Sequence, residues 1–126
     1  MNETVAKWLD FAERDFQTAK KLFELEESCF YESVCLHSQQ AIEKLLKALL
    51  VHHQQQVFKT HDLPALLTHI RPFLKTTLPI TETDLIFLSE CFYAFRYPGE
   101  LANFEQTQEA LNICTQLRTC LLNEFE

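Results

Sequence analysis

Glycine is nearly absent from this chain: Gly99 is the only one in 126 residues. Globular proteins average about 7%. Hairpins and tight loops draw on glycine for backbone angles with φ > 0. A fold built on such turns is therefore disfavoured, and long helices with short connections are expected. Long apolar runs are missing too. None approaches the roughly 18 residues of a membrane-spanning helix. The opening stretch MNETVAKWLDFAERDF has charges every few residues and no signal-peptide core. No membrane association is expected. The five cysteines (29, 35, 91, 114, 120) are odd in number and show no C-x-x-C spacing. Cys35, Cys91 and Cys114 fall in phase with apolar neighbours, so they read as reduced, buried small hydrophobes of a cytoplasmic protein. Basic charge is also short, with 11 Lys and Arg against 18 Asp and Glu and a net charge of -7. That argues against a broad electrostatic grip on nucleic acid and leaves room only for a local basic site.

What is present is helical periodicity. Apolar residues make up 47% of the chain and charged residues 23%, an ordinary globular balance. The length suits one domain over residues 1–126. Val5, Trp8, Leu9, Ala12, Phe16, Ala19, Leu22 and Phe23 recur at steps of three and four, predicting a first helix over 3–25. Ser28 is placed to cap a second, long helix over 29–55, about 40 Å at 1.5 Å per residue. Its stripe is Val34, Ser38, Ala41, Ile42, Leu45, Leu46 and Leu49. A short third helix is expected over 61–75, with Thr60 as cap, Asp62 at the positive dipole end and Pro64 in the first turn. Pro72 should stop or bend it. A fourth helix over 82–96 starts at Thr81 and stops at Pro98 and Gly99. A fifth over 104–125 carries Ala110, Cys114, Leu117, Leu121 and Phe125. The expected fold is all-α, an up-and-down four-helix bundle with one additional short helix.

Polar residues lie in lines beside these stripes. His37, Gln40, Lys44 and Lys47 follow at steps of three, four and three along the second helix. They suit either a solvated helix flank or a groove wall whose donors meet an anionic, nucleotide-like ligand. Gln39 and Glu43 form a second line at i, i+4. Asp15 is either an exposed helix charge or a buried partner for Lys44 or Arg96. The histidines 52, 53, 61 and 69 show no i, i+4 pair and no H-E-x-x-H pattern, so no metal site is expected. His61 fits a local hydrogen-bonding role at the start of the third helix. The excess of Phe and Tyr near the fourth helix suits core packing or a dimer face.

Three segments together carry a resemblance to a known family. WLDFAERDFQTAKKLF is similar to a W-x-x-x-A-x-x-D helix. FYESVCLHSQQAIEKLLKALL is similar to a helix with H-x-x-Q-x-x-E-K-x-x-K-A. THDLPALL followed by CFYAFRYPGE is similar to a T-H-D/N-L turn and a terminal R-Y-P. All three, spread over about residues 6–120, resemble the HEPN family, named for higher eukaryotes and prokaryotes nucleotide-binding. The resemblance implies a helical bundle that commonly forms homodimers. Many HEPN proteins are metal-independent RNases with an Arg-x(4–6)-His motif, in which histidine serves acid–base chemistry and arginine holds the phosphate. Here the positions counted from Arg96 are Leu101, Ala102 and Asn103, and no histidine follows His69. RNase activity is thus disfavoured, although Asn103 has room to bind a phosphate.

The R-Y-P ending resembles instead the HEPN partners of small, MNT-type nucleotidyltransferases, often paired in toxin–antitoxin modules. That resemblance implies a non-catalytic binding subunit without a cofactor of its own. In it, Arg96 is the fixed cation, and His37, Gln40 and Lys44 stand on the facing helix with Asp15. Tyr97 stacks on a base or tucks against the bundle. The ligand would be a nucleotide or RNA. A divergent RNase toxin and a purely structural dimerisation module are the alternatives.

Overall fold

The computed structural model describes residues 2–126, and among them it forms helices and no strand. The first helix, α1, spans Glu3–Glu24. It begins where the Asn2 side chain accepts the Val5 amide at 2.8 Å. Then come α2 (Tyr31–His52), α3 (Leu63–Ile70), α4 (Glu82–Glu90) and α5 (Phe104–Asn123). Single 3₁₀ turns at Ser28–Phe30 and Arg71–Phe73 precede α2 and follow α3.

α2 is the central element and packs on α1, α3 and α5. Its leucines, with Ile42, close against Leu63, Leu66, Leu67 and Ile70 of α3, Leu88 of α4, and Leu117 and Leu121 of α5. Every residue from 31 to 51 is buried or half-buried. Of the polar residues of α2, Ser38, Gln39, Glu43 and Lys47 are buried, and His37, Gln40 and Lys44 are half-buried. Cys35, Cys91 and Cys114 are free and buried, as their phase predicted. Burial pushes the Cys114 thiol up to about 12. The adjoining Cys35 thiol and burial push Cys91 up as well.

The helix ends depart from expectation in instructive ways. Ser28 does not cap α2. It opens the 3₁₀ turn, and the chain enters α2 through Phe30 without a side-chain cap. α3 is capped by Asp62, whose carboxylate accepts the Ala65 amide at 3.1 Å, while Thr60 holds the Asp62 amide at 3.1 Å. The last α-helical residue of α3 is Ile70, and Pro72 sits in the tighter turn that follows. Thr81 caps α4 as expected, accepting the Asp84 amide at 3.1 Å. α4 then ends at Glu90, six residues before Arg96, rather than at Pro98 and Gly99. The chain continues in turns to Phe95, which takes a left-handed φ of 63°. A continued helix would bring the Arg96 amide to the Phe92 carbonyl. Instead the Arg96 side chain takes that carbonyl through Nε at 2.8 Å.

Gly99 follows with φ 90°, inside a turn closed by the Glu100 amide on the Tyr97 carbonyl at 3.0 Å. A Cβ there would meet nothing within 4 Å, so the requirement is one of backbone angle and not of space. Gly99→Ala is expected to cost about 1–2 kcal/mol. Urea denaturation checks this; an unchanged midpoint would mean the turn relaxes to another conformation at no cost.

Beyond the turn, Asn103 and Gln106 make a reciprocal capping box at the start of α5, with bonds of 2.7 and 3.0 Å. At the other end, Glu124 is buried and accepts the Lys75 and Thr76 amides at 2.8 and 3.2 Å, tying α5 to the segment after α3.

Candidate ligand groove

Two buried carboxylates, one on α1 and one on α2, each hold one imidazole and one ammonium. The first is Asp15 of α1, 7% exposed among Ala12, Phe16 and Ala19. Its Oδ1 pairs with His37 Nδ1 at 2.8 Å and its Oδ2 accepts from Lys44 Nζ at 2.5 Å. Burial alone would raise the Asp15 carboxyl. Hydrogen bonds and charge from His37 and Lys44 outweigh it and hold the group below the usual carboxylate range. An ionised carboxylate only accepts, so His37 donates through Nδ1–H, and its Nε2 has no hydrogen-bond partner among the described residues. The buried alternative for Asp15 is the observed one, and its lysine partner is Lys44, not Arg96.

The second carboxylate is Glu43, equally buried on the other flank of α2. Glu43 Oε1 meets His61 Nδ1 at 2.9 Å and Gln39 Nε2 at 3.1 Å. Its Oε2 accepts from Lys47 Nζ at 3.0 Å. Gln39 Nε2 also reaches the His61 carbonyl at 3.0 Å, so the α3 entry is pinned to α2 twice. The side-chain hydrogen bond of His61 is thus not local; its partner lies 18 positions away. Sequence reasoning missed this group as a unit. Its only trace was the i, i+4 spacing of Gln39, Glu43 and Lys47, which does not distinguish a solvated line from a buried one.

Arg96 stands apart from the Asp15 group. Its guanidinium lies 4.8 Å from the centroid of the Phe92 ring, and the same ring stacks on His61 at 3.6 Å. Arg96 borders a cavity of about 350 Å³ with Glu32, Ser33, Leu36 and Phe92. Leu36 and Ser33 lie on α2 beside His37 and one to two turns before Gln40. His37, Gln40 and Lys44 are not among the residues that line the cavity. Gln40 is half-buried between His37 and Lys44. Among the described residues its side chain has no hydrogen-bond partner, and Arg96 has no carboxylate within ion-pair distance. Tyr97 is 73% exposed and does not tuck against the bundle.

The match to known families comes on this geometry. The profile of the HEPN domain matches residues 5–124. The chain belongs to the HEPN domain family. The crystal structure of TT1696 from Thermus thermophilus is similar in fold, with a TM-score of 0.75 over 98% of this chain and 99% of that one, at 21% identity. No functionally curated protein matches the sequence. In this HEPN chain the three positions counted from Arg96 have structural surroundings of their own. Leu101 is exposed, the Ala102 amide is held by Glu32 at 2.8 Å, and Asn103 is engaged as the α5 cap. The cap uses Oδ1 of Asn103 as acceptor and leaves its Nδ2 donors without a partner among the described residues. Among the described residues no helix is long and apolar enough to cross a membrane.

Proposed function

We propose that this HEPN chain binds a nucleotide or RNA phosphate in the α2 groove and performs no cleavage by itself. It serves as the partner subunit of an MNT-type nucleotidyltransferase, in a module of the toxin–antitoxin kind. The observation that carries the binding role is Arg96, held by Nε on a backbone carbonyl and by its ring contact, with no carboxylate of the described residues within ion-pair distance, although Glu32 lines the same cavity. A guanidinium held in place without a direct carboxylate partner suits bidentate recognition of phosphate. His37, Gln40 and Lys44 extend donors from that end along the same helix. The R-Y-P ending supports the choice of partner. Exposed Ile86, Tyr93, Tyr97 and Leu101 support a homodimer contact on the α4 side, which sedimentation equilibrium reads directly.

Thermal-shift titration of the purified chain tests the binding role. A ligand at about a hundred times its dissociation constant stabilises the fold by about 2.7 kcal/mol, and Arg96→Ala should abolish that gain. Metal-independent cleavage of RNA by the chain alone, lost in Arg96→Ala, would overturn the non-catalytic assignment. No shift with nucleotide or RNA, with or without a nucleotidyltransferase partner, would leave a structural dimerisation module.

A further inference from the structure

The cavity beside Arg96 holds a second charge that phosphate binding alone leaves unused. Glu32, in the first turn of α2, lines the same space of about 350 Å³ as Arg96, Ser33 and Leu36. Its Oε2 accepts the Ala102 amide at 2.8 Å, and its Oε1 has no hydrogen-bond partner among the described residues. Arg96 is held in a matching way, with Nε on the Phe92 carbonyl at 2.8 Å and the guanidinium over the Phe92 ring. Its two terminal nitrogens keep their donors. Each charge is thus tied to a backbone group, Glu32 at the approach to α5 and Arg96 just beyond α4. They do not come within ion-pair distance of each other, and neither pairs with another side chain among the described residues. Much of the remaining wall is apolar, from Leu36, Ala94 and Phe95.

A bare polyanion suits this cavity poorly, because a phosphate that reaches Arg96 also meets the Glu32 carboxylate. An anion that carries an amino group as well meets both charges. Its negative end takes the guanidinium fork, and its N–H groups donate to the carboxylate. A ligand without that donor leaves Glu32 desolvated and unpaired, so the carboxylate discriminates by loss as well as by gain. We infer that Glu32 is a specificity-determining residue of the Arg96 cavity, which selects a phosphate ester bearing an amino group over one without. This rests on Arg96 being the phosphate-binding group. An alkyl ammonium and an amine on a ring are two sources of that donor, and each offers N–H to Glu32 Oε1.

Isothermal titration calorimetry of the full chain with O-phosphoethanolamine, ethyl phosphate, inorganic pyrophosphate, AMP and IMP reads the selection. The first two differ by an ammonium, and AMP and IMP differ by an amine at one ring position. At least one amino ligand is expected to bind more tightly than its counterpart by about tenfold, the worth of one hydrogen bond to a charged group. A preference within the first pair assigns the donor to an alkyl ammonium and one within the second to a ring amine; either supports the selection. Glu32→Gln keeps an acceptor for the Ala102 amide and removes the charge. It should erase the preference while ethyl phosphate and pyrophosphate bind as tightly as in the parent or more so. A merely structural Glu32 would instead weaken every ligand together, which overturns the inference. Should Glu32→Gln melt lower than the parent, the two pairwise comparisons in the parent chain still decide. Equal affinities within both pairs, with all binding lost in Arg96→Ala, overturn the selection and leave the phosphate-binding role standing. Pyrophosphate binding more tightly than either amino ligand overturns the selection as well. No binding of any of the five compounds overturns the selection and the phosphate-binding role together.

Discussion

Glu43→Ala is expected to destabilise the protein by about 3–5 kcal/mol, because removing one partner of a buried ion pair leaves the other charge uncompensated. The Glu43 and Lys47 side chains are 8% and 9% exposed, so water cannot readily replace the lost carboxylate. Three hydrogen bonds go with it, from Gln39, His61 and Lys47. Urea denaturation measures the loss, and a change below about 1 kcal/mol would mean that the Lys47 ammonium reaches solvent at little cost. Glu43→Gln keeps the volume and one acceptor and is expected to fall between. A second consequence reaches the groove. His61 loses its anchor, the Phe92 ring loses the imidazole it stacks on, and Arg96 rests on that ring. Glu43→Ala should therefore weaken ligand binding without removing any group that touches the ligand.

Asp15→Asn is expected to cost about 2 kcal/mol, below the range for fully buried pairs. The discount follows from its partners, since His37 and Lys44 are 30% and 26% exposed and keep part of their hydration. The more telling effect is on pH dependence. Burial works against the charged form of Asp15, and the bonds from His37 and Lys44 overcome it, so its folded pKa lies below the ordinary 3.8. The unfolded chain then binds the proton more readily than the folded one. The contribution of Asp15 is fully present above its unfolded value, near the ordinary 3.8, and is lost as pH falls below that and through its lower folded value. Denaturation midpoints followed down that range should drop less steeply in Asp15→Asn than in the parent. Glu13, held low by Gln17 and Arg118 against burial, and Glu124, held low by the Lys75 and Thr76 groups against burial, retain their share of the acid sensitivity. An acid limb of unchanged slope in Asp15→Asn would mean that His37 and Lys44 do not favour its charged form.

Much of this architecture is legible in one dimension. The recurrence of apolar residues at three and four places the five helices. The Thr81 cap and the in-phase Cys35, Cys91 and Cys114 lie where local rules put them. Such rules act over one turn of chain, and sequence displays that range directly. The line His37, Gln40, Lys44 and Lys47 is legible too, but only as a line.

How far that line is exposed was decided by packing: Lys47 is buried, while His37, Gln40 and Lys44 are half-buried. Asp15 and Lys44 are 29 residues apart and His61 and Glu43 are 18 apart, and no spacing rule joins them. The short α4 has the same origin. Its sequence continues the helical pattern through Phe92 and Phe95, yet the chain turns at Glu90, and the Arg96 side chain takes the Phe92 carbonyl that a longer helix would have left to its amide. Sequence determined which segments are helical, which of their faces are apolar, and that no histidine follows Arg96. Only the tertiary structure decided which charges meet, because burial and ion pairing depend on what packs against a residue, and that comes from distant parts of the chain.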